Sequence, residues 1–522
     1  MVLPMKKQVF TAGLLVALFT ATATAQSNWV EQFLNRYKPP KVNPAAPATE
    51  QVADEPWQKM VPEGALPMSL NDVIRLMLAN SLDVTVNRFS PLVNRYLLET
   101  MARPFEPKLD VSAQANRNTI PPTSQLQVGQ GTVPFSQLTH RYSIGYGQTF
   151  QTGTALSVGF SVNRNSSNSL FDTFNPSYFG TITYSISQPL LRNYGRGVNG
   201  RQIRIARNNV TVSEIDFELE MIDLVTAAQN LYWDLVYQRE DIKVRKQSLE
   251  LAEKTFAANK RQVDIGTMAG IEVLQAESEV AQRQEQIVTA RYTADQVQDR
   301  VKKLITNLGD PALIRAELYL VDSPGRPGAS DIMPLEVAIP YALVWAESRQ
   351  IEQDSEVRRL RRSFGGLRDA LGQLFGYNYS GYSVGFSLSI PLSNKAGRAE
   401  YSKVLTEKQA IESKRTRLAQ QIALEVRNAH SQVEMNRARI EAAGKALNLA
   451  NMQLEAEQKK FQLGVSQLRF VLQEQRNVTQ TQTTQMQALV NYAKSLVEYD
   501  RAVGRTLRKN NIEIDKQLRV AG

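Results

Sequence analysis

The residues of this 522-residue chain that could bind a nucleotide are the glycines of positions 195–200, which read G-R-G-V-N-G. A G-x-G-x-x-G pattern holds the pyrophosphate of a dinucleotide when a short helix and a second parallel strand with an acidic end follow it. Here a run without Gly or Pro extends from Arg201 to Ile265, and the candidate acids Asp216 and Glu218 lie inside it. Because no second strand follows at the required distance, the glycines are interpreted as a backbone boundary and not as a nucleotide site.

Side chains that could perform other chemistry are scarce. The chain has no cysteine and two histidines, His140 and His430. Without cysteine there are no disulfides, thiolate metal ligands or thiol nucleophiles, and the histidines are too few for a zinc cluster. His430 lies in a long helical run among polar residues, which favours a helix-surface position over the base of a Ser-His-Asp triad. No acid pair or activated nucleophile stands out, so we expect no enzyme activity, no cofactor and no metal site.

The net charge of +10 raises the question of a nucleic-acid partner. Most Lys and Arg residues alternate with Glu and Asp along helices, as in residues 238–254, which is typical of a solvated helix face. The compact basic patch comprises Arg358, Arg359, Arg361 and Arg362, with no aromatic-rich strand beside it. We therefore expect no nucleic-acid binding.

The N-terminal segment has the order of a secretory signal. Lys6 and Lys7 precede an apolar run that ends near Phe19, and the small residues Ala23-Thr24-Ala25 follow. The run is too short for a comfortable bilayer span, and no later run reaches 18 apolar residues. We expect cleavage before Gln26 and export of the mature chain without a transmembrane helix.

Five stretches alternate apolar with small polar residues, as a β-strand with two different faces does: 109–115, 142–150, 156–162, 182–188 and 382–390. One face is aliphatic and aromatic, and the other is mostly Ser, Gly and Thr. This combination favours a membrane barrel around a water-filled lumen. The alternative is the edge of a soluble antiparallel sheet.

Long helical hairpins follow the strands. At 1.5 Å per residue, the run from Arg201 to Ile265 spans roughly 100 Å. It turns at Gly266 and Gly270, and the next run, to Leu308, carries apolar residues every seven positions. This spacing predicts a coiled-coil seam. The seam residues are Val273, Val280, Ile287, Ala294, Val301 and Leu308, with Ala276, Ala290, Val297 and Leu304 three positions further on.

The same arrangement occurs a second time along the chain. Gly266 and Leu274 match Gly464 and Leu472 at one constant offset, and Leu489, Leu496 and Val503 close the second hairpin. Strand exits precede both hairpins, in "SQPLLRNYGRG" (187–197) and "SIPLSNKAGR" (389–398). The residues predicted to form the strand-to-helix boundaries are Pro189, Gly195, Gly197, Pro391 and Gly397.

The predicted fold class is mainly α: long antiparallel coiled-coil hairpins joined to amphipathic strands of a membrane β-barrel, in two internal repeats. The expected segments are a signal peptide (1–25), a Pro/Ala-rich arm (26–68), a first repeat (69–310, with strands at about 108–190 and a hairpin at about 198–308), an equatorial linker (311–333), a second repeat (334–505, with a strand at about 380–392 and a hairpin at about 396–504) and a C-terminal tail (506–522).

The strand exits, the doubled hairpin turns and "LGDP" (308–311) together resemble the outer-membrane efflux protein (TolC) family over residues 69–505. The resemblance implies a homotrimer with one shared barrel in outer-membrane lipid and one helical tunnel in the periplasm. It also implies a passive duct of a tripartite efflux pump or type I secretion system. The implied partners are a periplasmic adaptor protein and an inner-membrane transporter of RND, ABC or MFS type. The strand count supports this independently of the resemblance. About five strands cannot close a barrel, which needs at least about eight, and open edges are not tolerated in lipid. Several chains must therefore share one barrel.

Two features of the chain depart from the family pattern. Residues 349–376 show no convincing strand alternation where relatives have an ascending strand. Many relatives place aspartates six and nine residues after the turn glycine of the second hairpin, where Phe470 and Gln473 stand here, beside Arg469. The matching residues of the first hairpin are Glu272 and Gln275. These five residues are the candidate tunnel-tip constriction, with the alternative that Phe470 only packs in the helix seam.

The turn segments 266–272 and 464–470, with Gly266, Gly270 and Gly464, are the candidate docking site for adaptor hairpins. The main alternative function is a periplasmic coiled-coil structural or adaptor protein without channel activity. Such a protein would explain the hairpins but not the amphipathic strands.

Overall fold

The computed structural model describes residues 65–121, 134–169, 172, 174–190, 193–266, 268–305, 316–328, 331–355 and 395–514. The predicted signal peptide, the predicted strand at 382–390, Pro391 and the basic patch at 358–362 lie outside these residues. Among the residues that are described, no helix combines the length and the apolar composition that crossing a membrane requires.

The first elements are strand β1 (Ala65–Met68) and helices α1 (Leu70–Asn80) and α2 (Leu82–Thr100). The sequence pattern predicts one helix from Leu70 to about Met101, with Ser69 as its N-cap. Ser69 does cap α1: its Oγ accepts from Asp72 N at 3.2 Å, and Asp72 Oδ2 accepts from Ser69 N at 3.0 Å. The prediction of one continuous helix is wrong. Ser81 is extended, with ψ 129°, and its Oγ accepts from Asp83 N at 3.3 Å, so it ends one helix and starts the next.

A four-stranded antiparallel sheet follows, with its strands paired in chain order. Its strands are β2 (Lys108–Ile120), β3 (Phe135–Thr149), β4 (Ala155–Ser167) and β5 (Ser177–Ser187).

The register of the sheet confirms the two-faced alternation predicted for the first half of the chain. Val111, Ile144, Phe160 and Ile182 pair in one row across the four strands, and Ser112, Ser143, Ser161 and Thr181 form the adjacent row. Because neighbouring residues of a strand point to opposite faces, one face of the sheet is apolar and the other is polar. The apolar side chains are exposed in the single chain, with Val111 at 70% and Ile144 at 49%.

Two long hairpins carry most of the helical residues. The first joins α4 (Arg201–Asp264) to α5 (Gly270–Ile305), after the single turn α3 (Arg196–Asn199). The second joins α7 (Lys395–Gln462) to α8 (Leu468–Val503), and α9 (Thr506–Lys509) follows. The 64 residues of α4 correspond to about 96 Å.

The two hairpins confirm the internal repeat. The first helices of the two hairpins, α4 and α7, end 198 positions apart, at Asp264 and Gln462 (462 minus 264). The second helices, α5 and α8, begin with the same offset. The heptad seam of α5 is buried at Ala276, Ile287, Ala294 and Val301.

A small parallel sheet, called here the β1–β6 layer, joins the two halves of the chain. Strand β6 (Glu317–Leu320), which precedes α6 (Leu335–Ser355), pairs in parallel with β1. Asp322 Oδ2 accepts hydrogen bonds from Leu70 N at 2.7 Å and from Tyr232 Oη at 3.0 Å. Tyr232 is fully buried, and burial raises its pKa, so the phenol stays protonated and remains a donor. The layer therefore fixes the N-terminal elements against α4.

Candidate functional site: the hairpin tips and the strand-to-helix junction

The glycine pattern at 195–200 lies where the sheet meets the first hairpin, and four of its six N–H groups donate within the chain: those of Gly195, Val198, Asn199 and Gly200. Gly195 has φ +92° and donates its N–H to Thr152 O at 3.0 Å. The Asn199 side-chain amide donates to Gln151 O at 3.2 Å and to Asn193 O at 2.9 Å. These bonds fasten the β3–β4 turn to the segment before α4. The Gly195 N–H, which a bound phosphate would need, already donates within the chain. This agrees with a strand-to-helix boundary and not with a nucleotide site.

The β3–β4 turn packs tightly at Gly153 against the segment that precedes α4. Gly153 has φ +93°, and a Cβ added there would lie 2.4 Å from Asn193 O. Pro189 also lies against it, with its Cγ 3.0 Å from that Cβ position. Of the other predicted boundary residues, Gly197 lies in α3 and Gly397 lies near the start of α7.

Both hairpin tips reverse through a glycine in the left-handed region. Gly266 has φ +80° and Gly464 has φ +76°. In the second turn, Gly464 N donates to Phe461 O at 3.0 Å and Val465 N donates to Lys460 O at 3.0 Å, the bond pair of a Schellman motif. Among the described residues, no atom lies within 4 Å of a Cβ added at either glycine, so backbone conformation and not space requires glycine there. Gly270 is the first residue of α5 and needs no such conformation.

The tips expose aliphatic side chains that the periodicity did not single out. Ile265 is 74% exposed, and its counterpart in the second turn, Leu463, is 78% exposed. Val465 is 75% exposed. Large apolar residues at matched positions of two turns form a surface suited to a partner.

The predicted constriction residues of α8 share one face outside the seam. Leu468, Val471 and Leu472 fill the seam and are buried, whereas Phe470 is 47% exposed. The Arg469 guanidinium carbon lies 4.7 Å from the centre of the Phe470 ring, a cation–π contact. Gln473 is exposed three residues further along the helix, on the face that carries Phe470.

The predicted constriction residues of α5 have a different environment. Glu272 is half-buried, and its Oε2 is shielded from solvent without a hydrogen-bond donor in the described part of the chain. Gln275 is exposed. The neighbouring Ala276 packs with Leu468 and Leu472 of α8, so a buried cluster joins the two hairpins near their tips.

A buried ion cluster also joins the hairpins, and sequence reasoning missed it. Glu279 and Arg283 of α5 are each about 5% exposed, and Arg283 Nε donates to Glu279 Oε1 at 3.0 Å. Arg476 of α8 reaches the other carboxylate oxygen at 3.0 Å. Burial lowers the pKa of Arg283, and the Glu279 charge opposes that shift. An acid and a base four residues apart is the local signal, but their burial depends on α8.

Polar pairs continue this connection along α4 and α8. Asp234 accepts from Lys494 Nζ at 2.9 Å, and Ser248 Oγ lies 2.8 Å from Thr479 Oγ1. Asp223 accepts from Arg501 Nε at 2.8 Å. The contact between the hairpins is therefore largely polar, whereas apolar residues hold each hairpin together.

Comparison with known proteins identifies the family. The sequence model described as "Outer membrane efflux protein" matches residues 151–307 and 350–505, more than half of the chain. No curated protein gives a significant match.

Solved structures share the fold at low sequence identity. A membrane protein from Pseudomonas aeruginosa has a TM-score of 0.57 and 17% identity, with 83% of this chain and 93% of that chain covered. The Campylobacter jejuni CmeC outer membrane channel has a TM-score of 0.57 and 14% identity, with 85% and 90% covered. The open state of the Neisseria gonorrhoeae MtrE outer membrane channel has a TM-score of 0.54 and 15% identity, with 84% and 89% covered.

These findings agree with the predicted fold class of helical tunnel, barrel strands and two repeats. The family implies trimer assembly and association with efflux pump components, and its members are channels and not enzymes. The chain belongs to the outer membrane efflux protein family, and it is a TolC-like channel of the outer membrane whose helical part lies in the periplasm.

Proposed function

We propose that this channel is a passive duct closed at its periplasmic tip by Phe470 side chains, and that its two hairpin turns bind a periplasmic adaptor. The exposure of Phe470 carries the proposal. A phenylalanine that lies outside the helix seam and is 47% exposed leaves much of its ring in water in the single chain. Three such rings brought together around a threefold axis would remove that apolar surface from water. Relatives with aspartates at this position would fill the axis with charge instead.

The charge at the tip supports a weakly selective gate. Arg469 is adjacent to Phe470 and contacts its ring, while Gln473 is neutral. Glu272 supplies a carboxylate in the first hairpin, and one of its oxygens is shielded from solvent. Rings of exposed carboxylates are what concentrate cations in a pore. We therefore expect weak cation selectivity and little block by millimolar divalent or trivalent cations on the periplasmic side.

The turns support the docking half of the proposal. Ile265, Leu463 and Val465 are each at least 74% exposed, next to the glycines that reverse the chain. An adaptor that presents an apolar helical hairpin would cover these residues. The adaptor would in turn couple the duct to an inner-membrane transporter of RND, ABC or MFS type, which supplies the cargo and the energy.

Two variants separate gating from docking. We expect Phe470→Ala to raise single-channel conductance in a planar bilayer, because it removes ring volume at the constriction, while adaptor binding to the trimer stays unchanged. Leu463→Ser should weaken adaptor binding and leave the conductance unchanged. An unchanged conductance in Phe470→Ala would remove the gate, and strong block of the unmodified channel by multivalent cations would contradict the charge assignment. Unchanged adaptor binding in Leu463→Ser would remove the docking site.

A further inference from the structure

We propose that the apolar face of the sheet ends in a binding site for the phosphate group of an outer-leaflet lipid, formed by Arg117 and Arg164. The observation is a change of chemistry along one face. The row of Val111, Ile144, Phe160 and Ile182 and the next row of Ala113, Tyr142, Val162 and Gly180 carry no charge. The following row contains Ala115, His140, Arg164 and Tyr178, and Arg117 lies one row beyond.

The position of these residues matches a headgroup region. The β3–β4 turn contacts the segment before α4, so the helices lie at the Thr149 end of β3. Arg164 lies eight residues beyond Leu156 on the same face of β4. That separation is about 27 Å along the strand, or about 21 Å across the membrane at a tilt of about 40°. An apolar band about 25 Å tall therefore ends near Arg164, on the side away from the helices.

An imidazole and a phenol hold the guanidinium of Arg164. Its Nη1 lies 3.0 Å from His140 Nδ1, and its Nε donates to Tyr178 Oη at 3.2 Å. Arg117 Nε donates to Ser136 Oγ at 3.2 Å. Within the described part of the chain, no acceptor binds Arg164 Nη2 or the two terminal nitrogens of Arg117. Both side chains are thus oriented while part of their donor capacity remains available.

Within the described residues, no carboxylate pairs with the two arginines on this face. The outward-facing residues of the four described strands include no Asp or Glu. Asp172, in the segment after β4, accepts from the Ser167 hydroxyl at 2.5 Å, and Ser167 belongs to the opposite face. Uncompensated cations at a lipid boundary favour an anionic group, and arginine binds phosphate in a fork geometry with two parallel hydrogen bonds.

The spacing of the two arginines suits one lipid headgroup. Arg117 pairs with Leu138, and Arg164 pairs with His140, so they are two strands and one row apart. This places their Cβ atoms roughly 12 Å apart. Two arginine side chains at that separation can both reach a phosphorylated sugar or glycerol headgroup that lies between them. Tyr178 lies in the row of Arg164 and Tyr142 lies one row nearer the apolar band, as is usual for aromatic residues where a barrel leaves the hydrocarbon region.

The test measures binding of lipid A, a phosphorylated glycolipid, to the detergent-purified trimer by native mass spectrometry. The double variant Arg117→Gln/Arg164→Gln should bind about tenfold more weakly, the loss of about one charge-assisted hydrogen bond. The matched control is Arg141→Gln, which removes a charge from β3 on the opposite face, between Gln114 and Asn163. It should bind within about twofold of the unmodified protein. If the double variant does not assemble, Arg164→Gln alone is tested in the same way.

Three results would overturn the proposal: equal lipid A binding by the arginine variant and the unmodified trimer, an equal loss in Arg141→Gln, or displacement of lipid A by millimolar inorganic phosphate. The last result would indicate a free-anion site and not a lipid site. Phosphatidylcholine, whose headgroup is zwitterionic, should bind the variant and the unmodified trimer equally.

Discussion

The buried ion cluster of Glu279, Arg283 and Arg476 offers a quantitative test of how the two hairpins are joined. Glu279→Gln removes the carboxylate and leaves the Arg283 guanidinium, which is 5% exposed, without its counter-charge. Breaking a buried pair in this way costs about 3–5 kcal/mol. Arg476 is 54% exposed, so Arg476→Gln should cost no more than about 1 kcal/mol. The order of the two effects follows directly from burial.

The assay is denaturant unfolding of the trimer in detergent, followed by the helical circular dichroism signal at one fixed protein concentration. The midpoint should fall clearly in Glu279→Gln and only slightly in Arg476→Gln. A control at the exposed pair of Glu250 and Lys254, Glu250→Gln, should leave the midpoint unchanged. Replacing both buried partners, in Glu279→Met/Arg283→Met, should recover much of the loss, because no buried charge then lacks a partner. Equal midpoints for Glu279→Gln and the unmodified protein would refute the buried cluster as a stabilising contact.

Three further predictions follow from particular contacts. Gly153→Ala should prevent assembly of the barrel, because its Cβ would lie 2.4 Å from Asn193 O. The control Gly159→Ala meets no atom of the described residues within 4 Å and should assemble normally. Heat-resistant trimers on a gel distinguish the two variants, and normal trimers of Gly153→Ala would count against tight packing at this turn. Tyr492 Oη and Gly328 N donate to Asp331 and hold the pKa of that carboxyl below its usual range. These hydrogen bonds stabilise the folded state when Asp331 is ionised, so their contribution is present above the unfolded pKa of about 3.9 and is lost as the pH falls through the folded pKa. Acid unfolding of Tyr492→Phe should show a weaker loss of stability as the pH falls below about 4, and an unchanged profile would exclude the Tyr492 bond as the cause. Gly464→Asn should preserve export and Gly464→Val should reduce it, because asparagine tolerates φ near +76° and a β-branched residue does not; equal export by both variants would contradict the role of backbone conformation.

Local patterns were sufficient to predict the repeating elements of the fold. The uninterrupted runs gave α4 and α5 to within a few residues, and the turn glycines Gly266 and Gly464 lie in the left-handed region. The alternating stretches became β2–β5 because a period of two needs only the order of residues in one strand. The break at Ser81 was missed because a serine inside an apolar helical pattern does not reveal that it will act as a cap.

Contacts between distant parts of the chain could not be read from periodicity. Glu279 is buried because Arg476, almost two hundred positions later, lies beside it, and the pairing of Ser248 with Thr479 has the same origin. Exposure at the tips was equally hidden, because Leu463 and Leu472 are the same residue type and yet one is 78% exposed and the other 4%. The replacement of apolar residues by arginine along one face of the sheet could be recognised only from the register, which pairs Arg164 with His140.

The central proposal is that Phe470 side chains from three chains meet on the tunnel axis, and thiol crosslinking tests it most directly. The natural chain has no cysteine, so Phe470→Cys introduces the sole thiol. A direct disulfide needs Cα atoms within about 7 Å of each other, which is closer than the Cα atoms of three touching phenylalanines lie, so a longer bis-maleimide crosslinker is used. Treatment of the assembled trimer should give covalently linked dimers together with free monomer, because three thiols on one axis leave one unpaired. Leu463→Cys, in the exposed turn assigned to the adaptor, should remain monomeric on the same denaturing gel. Intact trimers of Phe470→Cys that give no linked dimers would contradict the account.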